Sequence, residues 1–255
     1  VAASMAITRS QHAAVALSDG RVLVVGGLGA ADSFVTGSEV YDPIADRWSG
    51  VGSLGTGRRW HTAVRLEDGR VLVCGGAVLG ARAVAEAEMF VPAGGAFVPA
   101  ASMRAARVLH TATGLADGRV LVVGGQIEPT APRAEAFDPA TGRWSEVAPP
   151  AASRSRHTAL RLADGRVLVV GGVADDGFPV AGAEIYDPKA DRWSDAGAPA
   201  AARSRHTATL MADGTVVLTG GESDAAYASA DRFDPATGQW SAFGRLGVDH
   251  ARHTA

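Results

Sequence analysis

Hydrophobic positions fall in short runs separated by glycine, and the runs recur. In the fourth recurrence HTALRL at 157–162 is followed by Asp164-Gly165 and then by RVLVVGG at 166–172. The first run reads as a strand. The second, almost wholly Val and Leu, reads as a strand buried on both faces. Asp-Gly between apolar runs predicts a hairpin closed by a type I′ turn with positive φ at both residues. The paired glycines predict positive φ or close backbone approach. A variable stretch of nine to eleven residues comes next. An acid and an aromatic then open a third strand: Glu39 and Tyr41, Glu88 and Phe90, Glu135 and Phe137, Glu184 and Tyr186, Asp231 and Phe233. Asp-Pro follows in four units and Val91-Pro92 in the other, a turn with φ fixed by proline. A fourth strand opens on Trp48, Phe97, Trp144, Trp193 or Trp240. No stretch keeps a helical period.

The Gly-Gly pairs lie at 26–27, 75–76, 124–125, 171–172 and 220–221, so the steps are 49, 49, 47 and 49 residues. Four strands repeated at such a period predict radial blades of a β-propeller. A lone blade cannot bury both faces, so its neighbours must supply the core. The Gly-Gly after an apolar strand, the aromatic further on and the Trp after the turn resemble the kelch repeat, across essentially the whole chain. The resemblance implies an all-β, kelch-type propeller of four-stranded antiparallel blades, of the kind found in the central domain of galactose oxidase. The His strand would be innermost and the Trp strand outermost. On this reading residues 1–255 form one domain with repeats near 9–57, 58–106, 107–153, 154–202 and 203–249, and 250–255 begin a further repeat. Gly247 to Ala255 runs in the same phase as Ala6 to Ala14, and the two would compete for one place in a closed five-bladed ring. The overlap points to part of a six- or seven-bladed ring, with a five-bladed ring and an unpaired tail as the alternative.

Composition narrows the partners. Net charge is −3, so nucleic acid is not an expected partner. No run approaches the ~18 apolar residues of a membrane helix, so membrane insertion is not expected. The start lacks the basic and apolar regions of a signal peptide. An extracellular or bacterial cell-surface location is the working expectation. Twenty-three Arg stand against the single Lys189, which favours fixed, forked ion pairs. The one cysteine, Cys74, occupies a strand slot held by Val or Thr in the other units and reads as a small buried hydrophobe.

Candidate chemistry divides into repeated and singular residues. Arg9, Arg58, Arg107, Arg154 and Arg203 precede the unit His by three, and each has an acid on the third strand to pair with. Equal recurrence points to a structural ion pair within each blade, as in kelch families; a ring of Arg binding an anion is the functional alternative. The histidines at 12, 61, 110, 157, 206 and 253 lie one per blade, so they are expected to bond backbone carbonyls between blades and not to converge on a metal. His250 and His253 form a local pair in which the first replaces the expected Arg. No cofactor or metal is predicted.

The singular residues gather on one face. Strand alternation puts the Asp-Gly and Asp-Pro turns on one side and the variable segments with the blade-to-blade links on the other, and insertions on one face mark a binding face. There Arg59-Trp60 replaces Ser10-Gln11, Val108-Leu109, Ser155-Arg156 and Ser204-Arg205 of the other units, and Arg and Trp are preferred anchors of interfaces. Asp175, Asp176 and Phe178 in unit four, with Glu222, Asp224 and Tyr227 in unit five, are the other candidates. Two adjacent carboxylates at Asp175 and Asp176 fall short of a calcium site. The expected function is a non-catalytic module that binds a protein or a glycan. The alternative is a carbohydrate-active oxidase, epimerase or lyase working at the channel mouth. The copper chemistry of galactose oxidase is not expected, because Cys74, Tyr41 and Tyr186 all occupy repeated positions.

Overall fold

The computed structural model describes residues 3–128, 131, 133–223 and 226–251. Among them the chain folds as an all-β propeller of five blades, each a four-stranded antiparallel sheet in sequence order. Blade four shows the plan, with strands Thr158–Arg161, Val167–Val170, Ala183–Asp187 and Arg192–Asp195. The first strands of successive blades stand side by side around the axis, and the Trp strand lies outermost. Among the described residues helix is confined to the short turns Ala30–Asp32 and Leu79–Ala81.

The hairpin between first and second strands differs from the expected type I′ turn. Positive φ occurs at the glycine alone, 85° at Gly20 and 90° at Gly165. In blade one Leu17 N–H donates to Arg21 O at 2.8 Å, and Gly20 N–H donates to Leu17 O at 3.2 Å. The loop is therefore three residues closed by a left-handed glycine. The reason is the aspartate: Asp19 accepts the Arg21 backbone N–H at 3.1 Å and pairs with its guanidinium at 2.7 Å. That local bond helps to keep φ of Asp19 out of the positive range.

The Gly-Gly pairs do take positive φ, for example 61° and 94° at Gly124 and Gly125. They are also points of contact between blades. A Cβ at Gly124 would collide with Arg154 O of the next blade, and Gly125 N–H donates to that same carbonyl at 2.9 Å.

Alternation along the second strands sends side chains to both neighbours. Leu168 and Val170 meet Val216, Leu218 and Phe233 of blade five, whereas Val167 and Val169 meet Leu121, Val123 and Val147 of blade three. Four such clusters join the successive blades. Cys74 is a fully buried member of one, and burial pushes its thiol up to about 11.

The Arg–acid pairs are buried within each blade. Arg154 Nη2 pairs with Glu184 at 2.5 Å while Nη1 donates to Gly171 O and Gly182 O. Glu184 also accepts Ala151 N–H at 2.7 Å, which ties the incoming linker to its blade. The outer Trp residues are half-buried. Trp193 is half-buried on the outermost strand, with its ring 5.1 Å from Tyr186 and its Nε1–H donating to Ala148 O.

The histidines bridge the seams. His61 Nε2 lies 3.1 Å from Val25 O of blade one, as expected. The other three buried histidines reach a threonine hydroxyl of the preceding blade: His110 to Thr62, His157 to Thr111 and His206 to Thr158, at 2.8–3.0 Å. Blade one carries Ala13 where the later blades carry these threonines, so it offers His61 no hydroxyl at that position. Burial and the adjacent Arg58 and Arg154 hold His61 and His157 down to about 3, neutral imidazoles at neutral pH.

The seam from blade five back to blade one is built differently. Met211 is 40% exposed, whereas its equivalents Leu17, Leu66, Leu115 and Leu162 are 1–4% exposed. His12 is exposed, whereas His61, His110, His157 and His206 are buried. Gly221 N–H, the equivalent of Gly125 N–H, donates at 2.7 Å to His250 O of the chain's own last strand, Gln239–His250.

Candidate functional site

The channel mouth on the variable-loop face is lined by the residue that precedes each unit His. Gln11, Trp60, Leu109, Arg156 and Arg205 all sit in the left-handed region, with φ between 54° and 60°. None is glycine, so each costs roughly 1–2 kcal/mol of backbone strain. The conformation is held by a relay around the mouth. Trp60 N–H donates to Gln11 O, Leu109 N–H to Trp60 O, Arg156 N–H to Leu109 O and Arg205 N–H to Arg156 O, at 3.0–3.3 Å. On either side the flanking residues bridge the ends of the second strands: Ser10 with Leu28, Arg59 with Ala77, Val108 with Gln126. Strained side chains are thus presented in a rigid arc at one mouth of the channel, an arrangement that concentrates at functional sites.

Arg59 and Trp60 are its most elaborate part. The Arg59 guanidinium carbon lies 3.8 Å from the Trp60 ring centroid and 5.7 Å from that of Phe34. Arg59 Nη1 donates to Gln11 Oε1 at 3.3 Å. Phe34 belongs to the variable segment of blade one, where it bridges Leu28, and its backbone presses on Gly57, at which a Cβ would lie 2.5 Å from Phe34 O. All three side chains are half-buried, so the cluster is preformed and keeps an open edge.

The other predicted residues are placed apart from it. Asp175, Asp176 and Phe178 lie on an exposed turn of blade four. Asp175 N–H donates to Ser153 Oγ, Asp176 accepts Phe178 N–H at 3.0 Å, and the Phe178 ring is 70% exposed. Glu222 is ion-paired with Arg205 at the mouth. Tyr227 lies by the buried Arg203, its ring centroid 5.4 Å from the guanidinium carbon. Asp224 and His253 lie outside the described residues; His250 pairs with Tyr227 in the last sheet. Among the described residues no three His, Cys, Asp or Glu side chains converge as a metal set would. Phe34 and Gln11 were not singled out from the sequence. Alignment of the loops would have found Phe34, since its bridge partners' equivalents pair with Ala83, Pro179 and Ala226 in other blades.

A radial array of four-stranded sheets defines the chain as a β-propeller. Residues 107–151 and 154–199, blades three and four of the five-bladed β-propeller, match the Kelch motif. Kelch propellers as a fold generally mediate protein binding. Comparison with curated proteins gives no match.

Proposed function

We propose that the chain is a non-catalytic protein-binding module that docks its partner on the variable-loop face at blades one and two. The observation that carries this reading is the Arg59 guanidinium stacked at 3.8 Å on Trp60 beside Phe34, on backbone held in the left-handed region. Arg and aromatic anchors on a preordered scaffold lose little entropy on binding. A protein suits the cluster better than a glycan, because a sugar stacks on an open ring face and Arg59 already covers one face of Trp60.

The test is affinity capture with the chain and two variants. Trp60→Gly removes the ring and relieves about 1 kcal/mol of left-handed strain. Its melting temperature should therefore hold while the captured partner is lost. Ile44→Asn alters the opposite, hairpin-turn face, where Ile44 is 95% exposed, and should capture as the parent does. Loss of the partner in Ile44→Asn but not in Trp60→Gly would reverse the assignment of the face. Retention on a glycan surface, with no protein captured, would favour the carbohydrate reading.

A further inference from the structure

The first strands end on the hairpin-turn face at equivalent positions. Ala16, Arg65, Gly114, Arg161 and Leu210 pair in turn with Val22, Val71, Val120, Val167 and Val216 of the second strands. Two of the five are arginines, and in blade order they flank the one glycine. A cavity of about 240 Å³ opens there, lined by Arg65 of blade two, Gly114 of blade three and Arg161 of blade four. Its apolar lining is Leu66, Leu115 and Val120, which are 1–4% exposed.

Both arginines are exposed, and among the described residues neither has a hydrogen bond or an ion pair. The arginines of the Asp-Gly turns differ. Arg70, Arg119 and Arg166 are each held by the aspartate two residues earlier, at 2.6–2.7 Å. Those bonds engage Asp68, Asp117 and Asp164, so these turns leave Arg65 and Arg161 without a counter-ion. Glu67 is the one acid in the lining. It leans toward the blade-three hairpin, where a Cβ at Gly118 would lie 3.5 Å from its Oε2, and it pairs with neither arginine. Two guanidiniums thus face the cavity against one carboxylate.

Nothing in the backbone requires glycine at 114. Its φ is not positive, and a Cβ there would meet only Val64 Cγ1, at the ordinary contact distance of 3.9 Å. Glycine weakens a strand. What the missing side chain does is leave space between Arg65 and Arg161.

We propose that this cavity binds a small oxyanion, a carboxylate or phosphate group held by Arg65 and Arg161 across Gly114. Forked guanidiniums suit such groups, because each can give two parallel N–H bonds to one pair of oxygens. Leu66, Leu115 and Val120 would meet the uncharged part of the ligand. The site lies on the face opposite Arg59 and Trp60 and does not depend on the docking proposed there.

Titration calorimetry of the chain at low ionic strength, with inorganic phosphate and separately with malonate, tests the proposal. At least one probe should bind saturably, and which one binds tells phosphoryl from carboxylate ligands. Arg65→Ala and Arg161→Ala should each weaken that binding by about tenfold or more, the loss of one charge-assisted contact. Glu67→Gln should tighten it by removing a like charge. Gly114→Leu gives blade three the residue that blade five carries at 210, so its melting temperature should hold while binding is lost. Should Gly114→Leu melt lower, the two exposed arginine variants still decide. Failure of both probes to bind saturably would overturn the proposal. Binding at parent strength in Arg65→Ala and Arg161→Ala, or in a folded Gly114→Leu, would place the anion elsewhere and overturn it too.

Discussion

At the scale of single residues, repetition separates what holds the blade from what the blade displays. Arg154 and Glu184 are buried and share their remaining hydrogen-bonding capacity with Gly171 O, Gly182 O and Ala151 N–H. Removing one partner leaves a charge and several polar groups without satisfaction, so Glu184→Ala should lose about 3–5 kcal/mol in urea denaturation. An unchanged midpoint would show that the pair contributes nothing beyond its geometry. Trp193 belongs to the same repeated class but lies on the outer, half-buried strand. It has one ring contact and one hydrogen bond to lose, so Trp193→Ala should cost about 2 kcal/mol, less than a core tryptophan. Trp60, with its strained backbone and its guanidinium lid, should move the melting temperature least of the three. A larger loss from Trp60→Ala than from Trp193→Ala would place Trp60 among the structural residues.

At the scale of the element, glycine positions that look alike in sequence carry unequal demands. Gly124 and Gly142 have similar φ, 61° and 67°. A Cβ at Gly124 would collide with Arg154 O, whereas at Gly142 it would meet nothing within 4 Å. Gly142→Ala should therefore cost about 1 kcal/mol from backbone strain alone. Gly124→Ala should cost more than about 3 kcal/mol, because the next blade must also shift. Equal losses would mean that the Gly-Gly pair serves only to turn the chain. The strands, their order and the need for glycine were legible in the sequence because hydrophobic runs and Gly-Gly recur in fixed phase. The turn type was not. Asp-Gly alone suggests type I′, and only the bond that Asp19 accepts from Arg21 N–H shows why the aspartate does not take positive φ. Nor was the strained arc legible, since Gln, Trp, Leu and Arg carry no common preference for the left-handed region. It arises from the relay between blades that fixes those residues. The Arg59-Trp60 departure could be read, and its companion Phe34 is legible only once the variable segments are aligned so that Ala83, Pro179 and Ala226 stand at its position.

For the whole molecule, the seams govern behaviour toward acid. His61 and His157 are held to about 3 by burial first and by Arg58 and Arg154 second, and burial likewise lowers His110, with Arg107 adding to it. Their unfolded value is near 6.5. The native chain therefore stays unprotonated at these sites while the unfolded chain takes up protons. The neutral seam contributes its full stability above about pH 6.5 and loses it as pH falls toward 3. Each such histidine adds a slope of about 1.4 kcal/mol per pH unit within that window. Urea midpoints between pH 7 and 4 should fall steeply, and His157→Gln should remove about one proton's share of the slope. His12→Gln should flatten it far less, since His12 is exposed where His61, His110 and His157 are buried. Equal slopes for the parent and His157→Gln would mean that His157 is already protonated in the native seam. Equal flattening by the two variants would mean that the seam between blades five and one is as closed as the rest, against the exposure of Met211 and His12 and the bond from Gly221 to His250.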